Sequence, residues 1–163
     1  MKNKKIILDK TGIENKINRI AFSIIEQYHL EKNITMIGFE KNGFLIAKKI
    51  QNVIKKNHRI KVSIHKIALK SKNEYLISPV ICKEDMKNIF LVDDVLKSGK
   101  TIIYGIKTIL NYPIKNLKTI ILVNRNHNQF PIGVDYVGLN LSTTLQDHIE
   151  VILEKNNEVV YLV

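Results

Sequence analysis

The chain reads as an α/β protein, a twisted parallel sheet with helices on both faces, and three observations predict it. Strand-like apolar runs alternate with helical patterns, the order that a parallel sheet covered on both faces produces. The run Ile89, Phe90, Leu91, Val92 is apolar at every position, as in a strand buried on both sides, and it stops abruptly at Asp93 and Asp94. The polar clusters capable of chemistry follow strands, where open α/β sheets hold their ligands.

Each element has its own signal. Ile13, Ile17, Ile20, Ile24 and Ile25 recur at helical spacing, so residues 12–29 are expected to form the first helix. Residues 35–39 read as a buried strand, and 44–56 as a helix with Ala47, Ile50 and Ile54 inward. Residues 61–69 alternate like a strand. Residues 70–77 are polar and read as a loop, which Pro79 keeps from becoming a helix. After the strand at 89–92 comes a helix with Ile102, Ile103, Ile106, Ile109 and Leu110 on one side, ending near Asn111. Residues 119–123, 136–141, 149–153 and 159–163 are strand-like, the last two joined by a turn at Asn156 and Asn157. No repeat or linker interrupts the pattern, and one domain spanning residues 1–163 is expected.

Composition narrows the class. With 163 residues, 45% of them hydrophobic, the chain can bury a core of its own. No apolar run approaches a membrane span, and the N-terminal run Ile6–Leu8 is too short for a secretory signal. The single cysteine, Cys82, excludes an internal disulfide, fits a reducing cytoplasm, and reads as a small buried or half-buried residue. The net charge of +11 suggests an anionic partner, yet all but three of the 26 basic residues are lysine. Lys, Asn and Ile fill about two-fifths of the chain, a skew that an A+T-rich coding sequence produces unaided. A phosphorylated substrate accounts for part of the charge, whereas arginine-based RNA contacts want more than Arg19, Arg59 and Arg125.

The most informative stretch is residues 89–102, IFLVDDVLKSGKTI. Asp93 and Asp94 stand at a strand tip, where two carboxylates can accept hydrogen bonds from neighbouring sugar hydroxyls. Lys97, Ser98, Gly99, Lys100 and Thr101 then form a basic, hydroxyl-rich turn whose backbone N–H groups, at a helix N-terminus, can hold a phosphate. A ribose 5-phosphate offers both sets of groups. The same SGKT ends a Walker A loop, but Asp94 occupies the position of that loop's first glycine and would face the nucleotide phosphates, so the Walker reading fails.

This fragment resembles the phosphoribosyl-diphosphate fingerprint of type I phosphoribosyltransferases. Residues 5–28, KIILDKTGIENKINRIAFSIIEQY, are similar to the opening strand and helix of the bacterial pyrimidine-operon attenuation proteins, which double as uracil phosphoribosyltransferases. Residues 38–50, GFEKNGFLIAKKI, resemble their pyrophosphate loop, and residues 122–141, LVNRNHNQFPIGVDYVGLNL, their base-covering hood. The resemblance implies the type I phosphoribosyltransferase fold, with a small hood segment added to the sheet. It also implies Mg²⁺ held indirectly, with substrate, by Asp93 and Asp94, a cis peptide between Glu40 and Lys41, and a homodimer or larger homo-oligomer.

In that setting Asp93 and Asp94 are the catalytic pair, Val95, Leu96 and Lys97 are substrate-binding, and Ser98, Gly99, Lys100 and Thr101 hold the 5-phosphate. Lys41, Asn42 and Gly43 meet the pyrophosphate, while Tyr136 stacks on the base and the Val137 backbone bonds its edge. Lys97 stands where enzymes acting on 6-oxopurines carry a carboxylate, which disfavours hypoxanthine or guanine and favours uracil. Departures accompany the matches: Asn42 replaces the loop arginine, and the flap stretch 69–80, LKSKNEYLISPV, is short and lacks arginine. Arg19, Arg125 and His127 match the RNA-binding pattern, whereas Phe22, Asn128 and Leu139 replace its other members. The expected activity is therefore a uracil phosphoribosyltransferase of low or divergent turnover, the alternative being a non-catalytic, nucleotide-sensing, RNA-binding regulator.

Overall fold

The computed structural model describes residues 4–142, 144, 147–154 and 157–163. Its elements begin with β1 (Lys5–Leu8), α1 (Lys10–Tyr28), β2 (Asn33–Phe39), α2 (Asn42–Asn57), β3 (Lys61–Ser71) and β4 (Glu74–Ser78). They continue with β5 (Asn88–Leu96), α3 (Lys100–Ile109), β6 (Asn116–Asn124), β7 (Tyr136–Asn140), β8 (Ile149–Glu154) and β9 (Asn157–Leu162).

The main sheet has strand order β4-β3-β2-β5-β6-β7. All neighbours in it are parallel except β4, which runs antiparallel to β3 at the edge. A second, antiparallel sheet of order β1-β9-β8 forms the hood. The α/β architecture with helices on both faces matches the sequence reading.

Residue alternation along β5 divides the core. Phe90 and Val92 point to the face covered by α1 and α2, where Ile13, Ile17, Ile20, Ile24, Ile46, Ile50 and Ile54 are fully or almost fully buried. Ile89 and Leu91 point to the other face, against Ile102 and Ile109 of α3. Helix α1 starts where the Asp9 side chain accepts the Gly12 N–H at 2.7 Å, an N-cap ahead of the isoleucine stripe. No helix among the described residues is long and apolar enough to cross a membrane.

Four expectations are corrected. Residues 70–77 are not a loop: β3 continues to Ser71 and pairs with β4, because Tyr75 and Ile77 alternate inward against Phe39 and Ile67. The segment 122–141 is not the hood; it holds the end of β6 and all of β7, and Leu122, Val123 and Tyr136 lie in the core. Cys82 is exposed, since it precedes the surface 3-10 turn Lys83–Asp85. Helix α1 starts two residues earlier than residue 12, at Lys10, because the cap is Asp9. The expected turn at Asn156 and Asn157 has its first residue outside the described ones, and β9 begins at Asn157.

Candidate active site

The carboxyl ends of β2, β3 and β5 open onto one cavity of about 520 Å³. Its wall is built from Phe39, Glu40 and Lys41 after β2, Ile67, Ala68 and Leu69 of β3, and Tyr75 of β4. Asp93, Asp94, Val95 and Lys97 come from β5 and its following loop, Thr101 from α3, and Ile149 from the hood.

The acidic pair is shaped by its own backbone. Strand β2 stops pairing with β5 at Gly38 and Val92, so the end of β5 is free to turn beside the β2 loop. Asp93 Oδ1 accepts the Asp94 N–H at 3.0 Å, and Asp94 Oδ1 accepts the Val95 N–H at 2.7 Å. Asp94 Oδ2 accepts Asn42 Nδ2 at 2.8 Å, so both of its oxygens are engaged and its orientation is set. Burial, and then the neighbouring Asp94 carboxylate, hold the Asp93 carboxyl well above the usual carboxylate range, against the weaker pull of the Asp94 backbone bond and of Lys97. Its surface still reaches the cavity.

Behind the pair, Gly99 has φ +85 and caps α3, a left-handed backbone where a side chain would also crowd Ile132. The loop is pinned because Ser98 O accepts the N–H groups of both Gln129 and Phe130 at 2.9 and 3.0 Å. Ser98 Oγ accepts the Lys100 N–H at 3.3 Å, while Thr101 and Ile102 precede the first helical bond, Ile103 N–H to Gly99 O. A positive helix end thus sits one turn from two carboxylates, an arrangement that suits a sugar phosphate.

The β2 loop supplies the opposite wall. The Glu40–Lys41 peptide is cis, as the resemblance implied. Gly43 packs so tightly on β5 that a Cβ would collide with Val92 O. Asn42 Nδ2 donates to Val151 O at 2.9 Å as well as to Asp94, which ties this loop to the hood. A second tie is the 2.7 Å ion pair from Lys49 of α2 to the half-buried Glu158 of β9.

Of the residues expected at the site, Lys41, Asp93, Asp94, Val95, Lys97 and Thr101 line the cavity. Asn42 braces it from behind, and Ser98, Gly99 and Lys100 form the adjoining loop and helix start. Leu96 is buried in the core under α3. Tyr136 does not stack over the cavity: it is 7% exposed, packs against Phe90, and donates its hydroxyl to Gln27 Oε1 at 2.6 Å. Burial pushes its phenol pKa upward. Val137 is in the edge strand β7, and its carbonyl accepts Arg19 Nη2 at 2.7 Å. Both belong near the start of β7, away from the carboxyl ends that form the site.

The remaining expected contacts are also placed. Arg19 donates to Gly138 O as well, at 2.8 Å. Arg125 is 7% exposed and donates to Thr144 O at 3.1 Å; His127 is half-buried. The lining residues that sequence reasoning missed include Phe39, Tyr75 and Ile149 and the β3 stretch Ile67, Ala68 and Leu69. Tyr75 had a signal in its alternation with Ile77, whereas nothing local marks Ile149.

A strand-borne acidic pair, a phosphate-type loop and a cavity at the sheet's carboxyl edge define a protein of the phosphoribosyltransferase class. A family model described as phosphoribosyl transferase domain matches residues 3–154. The chain is 33% identical to the bifunctional protein PyrR of Streptococcus thermophilus over 157 residues, covering 92% of this chain and 90% of that protein. It is 32% identical to the bifunctional protein PyrR of Fusobacterium nucleatum, covering 97% of both. Among solved structures, the hypoxanthine phosphoribosyltransferase of Trypanosoma cruzi superposes with a TM-score of 0.78 at 16% identity, over 97% of this chain and 95% of that one. The Bacillus anthracis hypoxanthine-guanine phosphoribosyltransferase gives 0.77 at 18% identity, over 100% and 99%. The chain belongs to the phosphoribosyl transferase family, has its type I fold, and is PyrR-like in sequence along nearly its whole length.

Proposed function

We propose that this protein transfers the phosphoribosyl group of phosphoribosyl diphosphate to a nucleobase, with uracil as the favoured acceptor and a low or divergent turnover. The observation that carries the reading is the pair Asp93 and Asp94 opening onto the cavity, with the Ser98–Thr101 turn and the α3 N-terminus immediately behind. Displacing diphosphate from the anomeric carbon builds positive charge on the ring and negative charge on the leaving group. The chain's part is positioning and preorganised electrostatics. Asp93 and Asp94 hold the ribose hydroxyls and favour the cationic ring, while the α3 turn holds the 5-phosphate. Lys41 and the N–H groups of Asn42 and Gly43, ahead of the first α2 bond, face the diphosphate. The base then lies near Val95, Lys97 and Ile149 in place of Tyr136 and Val137.

The donor set fits Mg²⁺ carried in with the diphosphate. Asp93 and Asp94 line the cavity, and Glu40 lines it too but is paired with Lys66, yet no group of three or more His, Cys, Asp or Glu among the described residues could cage an ion alone. Bound there, the ion would neutralise diphosphate charge. By likeness to the family, the assembly is a cytoplasmic homodimer or larger homo-oligomer.

A second reading is a nucleotide sensor with little turnover, and the engagement of Asn42 with Asp94 favours it. The side chain at the loop-arginine position braces the acidic pair, and Lys70 and Lys72 near the hairpin tip offer point charges with no bidentate fork. RNA binding through Arg19, Arg125 and His127 would belong to this second reading. A screen of nucleobases with phosphoribosyl diphosphate and Mg²⁺, following pyrophosphate release, separates the two. Turnover with uracil supports the transferase; tight nucleotide binding with no release for any base supports the sensor.

A further inference from the structure

We propose that Lys97 makes the acceptor end of this cavity a site for a planar heterocycle bound with a negative charge. The inference rests on the phosphoribosyl-transfer reading and revises its acceptor, ranking acidic relatives of uracil above uracil itself. Lys97 follows the acidic pair by three residues and lines the same cavity as Val95, Thr101 and Ile149. It is exposed, and no ion pair involves it among the described residues. Its charge is nevertheless felt at Asp93.

Val95 and Ile149 give the cavity apolar walls that suit a flat ring. A ring nitrogen attacking the anomeric carbon must lose its proton. The N–C1′ bond forms as the C1′–O bond to diphosphate breaks, the electron pair leaves with diphosphate, and the ring proton passes to water. An ammonium beside the ring favours the acceptor that already carries the negative charge, since opposite charges attract strongly in a partly desolvated cleft. A carboxylate at this position would oppose such an acceptor, and a neutral side chain would ignore it. The charge has two possible sources, an ionised ring N–H or a carboxylate substituent.

The test uses the full chain, with K97M and K97R beside wild type. Uracil, its more acidic fluoro derivative and its ring carboxylate orotate are each supplied with phosphoribosyl diphosphate and Mg²⁺. Pyrophosphate release gives KM and kcat, and calorimetry gives acceptor affinity for the protein loaded with phosphoribosyl diphosphate. Wild type should prefer at least one acidic acceptor over uracil by roughly tenfold, the scale of one exposed cation at a cleft wall. K97R should keep that preference and K97M should lose it. A preference for fluorouracil identifies ring ionisation as the source of charge, and a preference for orotate identifies the carboxylate. The same ranking in K97M as in wild type, uracil as the best acceptor, or no acceptor binding at all would overturn the inference. So would a K97M effect confined to phosphoribosyl diphosphate affinity, which would assign the lysine to the sugar phosphate. A titration with phosphoribosyl diphosphate alone keeps the failures apart, because its binding supports the underlying reading whatever the acceptors do.

Discussion

Asn42 and Asp94 are joined by a 2.8 Å hydrogen bond from Nδ2 to Oδ2, across the cleft between the β2 loop and the end of β5. The same nitrogen reaches Val151 O at 2.9 Å, so one amide fixes a candidate catalytic carboxylate and the hood together. Asn42→Ala should destabilise the fold by about 1–3 kcal/mol, because it leaves a part-buried carboxylate oxygen and a carbonyl without their donor. Asn42→Asp should cost at least as much, since it sets a second carboxylate against Asp94. Urea unfolding would check both, and an Asn42→Asp variant as stable as wild type would contradict the bracing role.

Asp93 yields a prediction with a definite sign. Its carboxyl is held above the usual range in the folded chain, so the folded state keeps a proton that the unfolded state releases. Stability is therefore lost as pH rises through the ordinary carboxylate pKa, and the loss grows until the raised folded pKa is passed. Asp93→Asn keeps an acceptor for the Asp94 N–H but has no charge to desolvate. Its Tm should exceed that of wild type at neutral pH, on the order of a few degrees, and converge with it near about pH 3. The same variant, alone or with Asp94→Asn, should bind phosphoribosyl diphosphate more weakly in calorimetry. Unchanged affinity in the double variant would remove the acidic pair from the site.

The β3–β4 hairpin is an edge element whose tip, Ser71 to Glu74, is exposed and held by the Ser71–Glu74 side-chain bond at 2.8 Å. Such tips open readily. A competent enzyme should show ligand-induced hydrogen-exchange protection around Tyr75, which lines the cavity and packs edge-on against Phe39 at 5.6 Å. Protection confined to Val95 through Thr101 would support the sensor.

What the sequence made legible was local. The run from Ile89 to Thr101 carries strand, carboxylates, turn and helix start within one uninterrupted segment, although β5 runs on to Leu96 through its pairing with β6, so Asp93 and Asp94 lie within the strand, just past its pairing with β2, and not at its tip. Ile149 was not legible, because an isoleucine in a short strand reads as core. Its place over the cavity depends on β8 pairing with β9 and on Asn42, more than a hundred positions away. Arg125 misled for the opposite reason: a loop arginine reads as surface, yet a carbonyl nineteen residues on lets it be buried. Tyr136 shows the limit of a resemblance, since its aromatic ring fits a stacking role and a core role equally until the strand register is known.

That ambiguity is testable by a paired substitution. Tyr136→Phe removes the 2.6 Å bond to Gln27 and should cost on the order of 1 kcal/mol of stability, with no change in acceptor KM. Ile149→Ala should raise acceptor KM with less effect on phosphoribosyl diphosphate affinity, because its side chain meets the cavity from the hood. A KM effect from Tyr136→Phe would return the ring to the site.

The remaining prediction concerns RNA. Arg19 spends its guanidinium on the Val137 and Gly138 carbonyls, and Arg125 is buried against Thr144 O, so two of the three matched residues serve the fold. A surface rich in lysine still attracts polyanions, and that attraction weakens steeply as salt releases its advantage. Gel-shift titrations should therefore give weak, salt-controlled binding that is equal for a pyrimidine-operon hairpin and its scrambled counterpart. Arg19→Ala and Arg125→Ala should lower the unfolding midpoint, with little effect on that equality. A preference for the hairpin that Arg19→Ala selectively abolishes, in a variant still folded by circular dichroism, would instead assign the exposed side of α1 to sequence-specific RNA recognition.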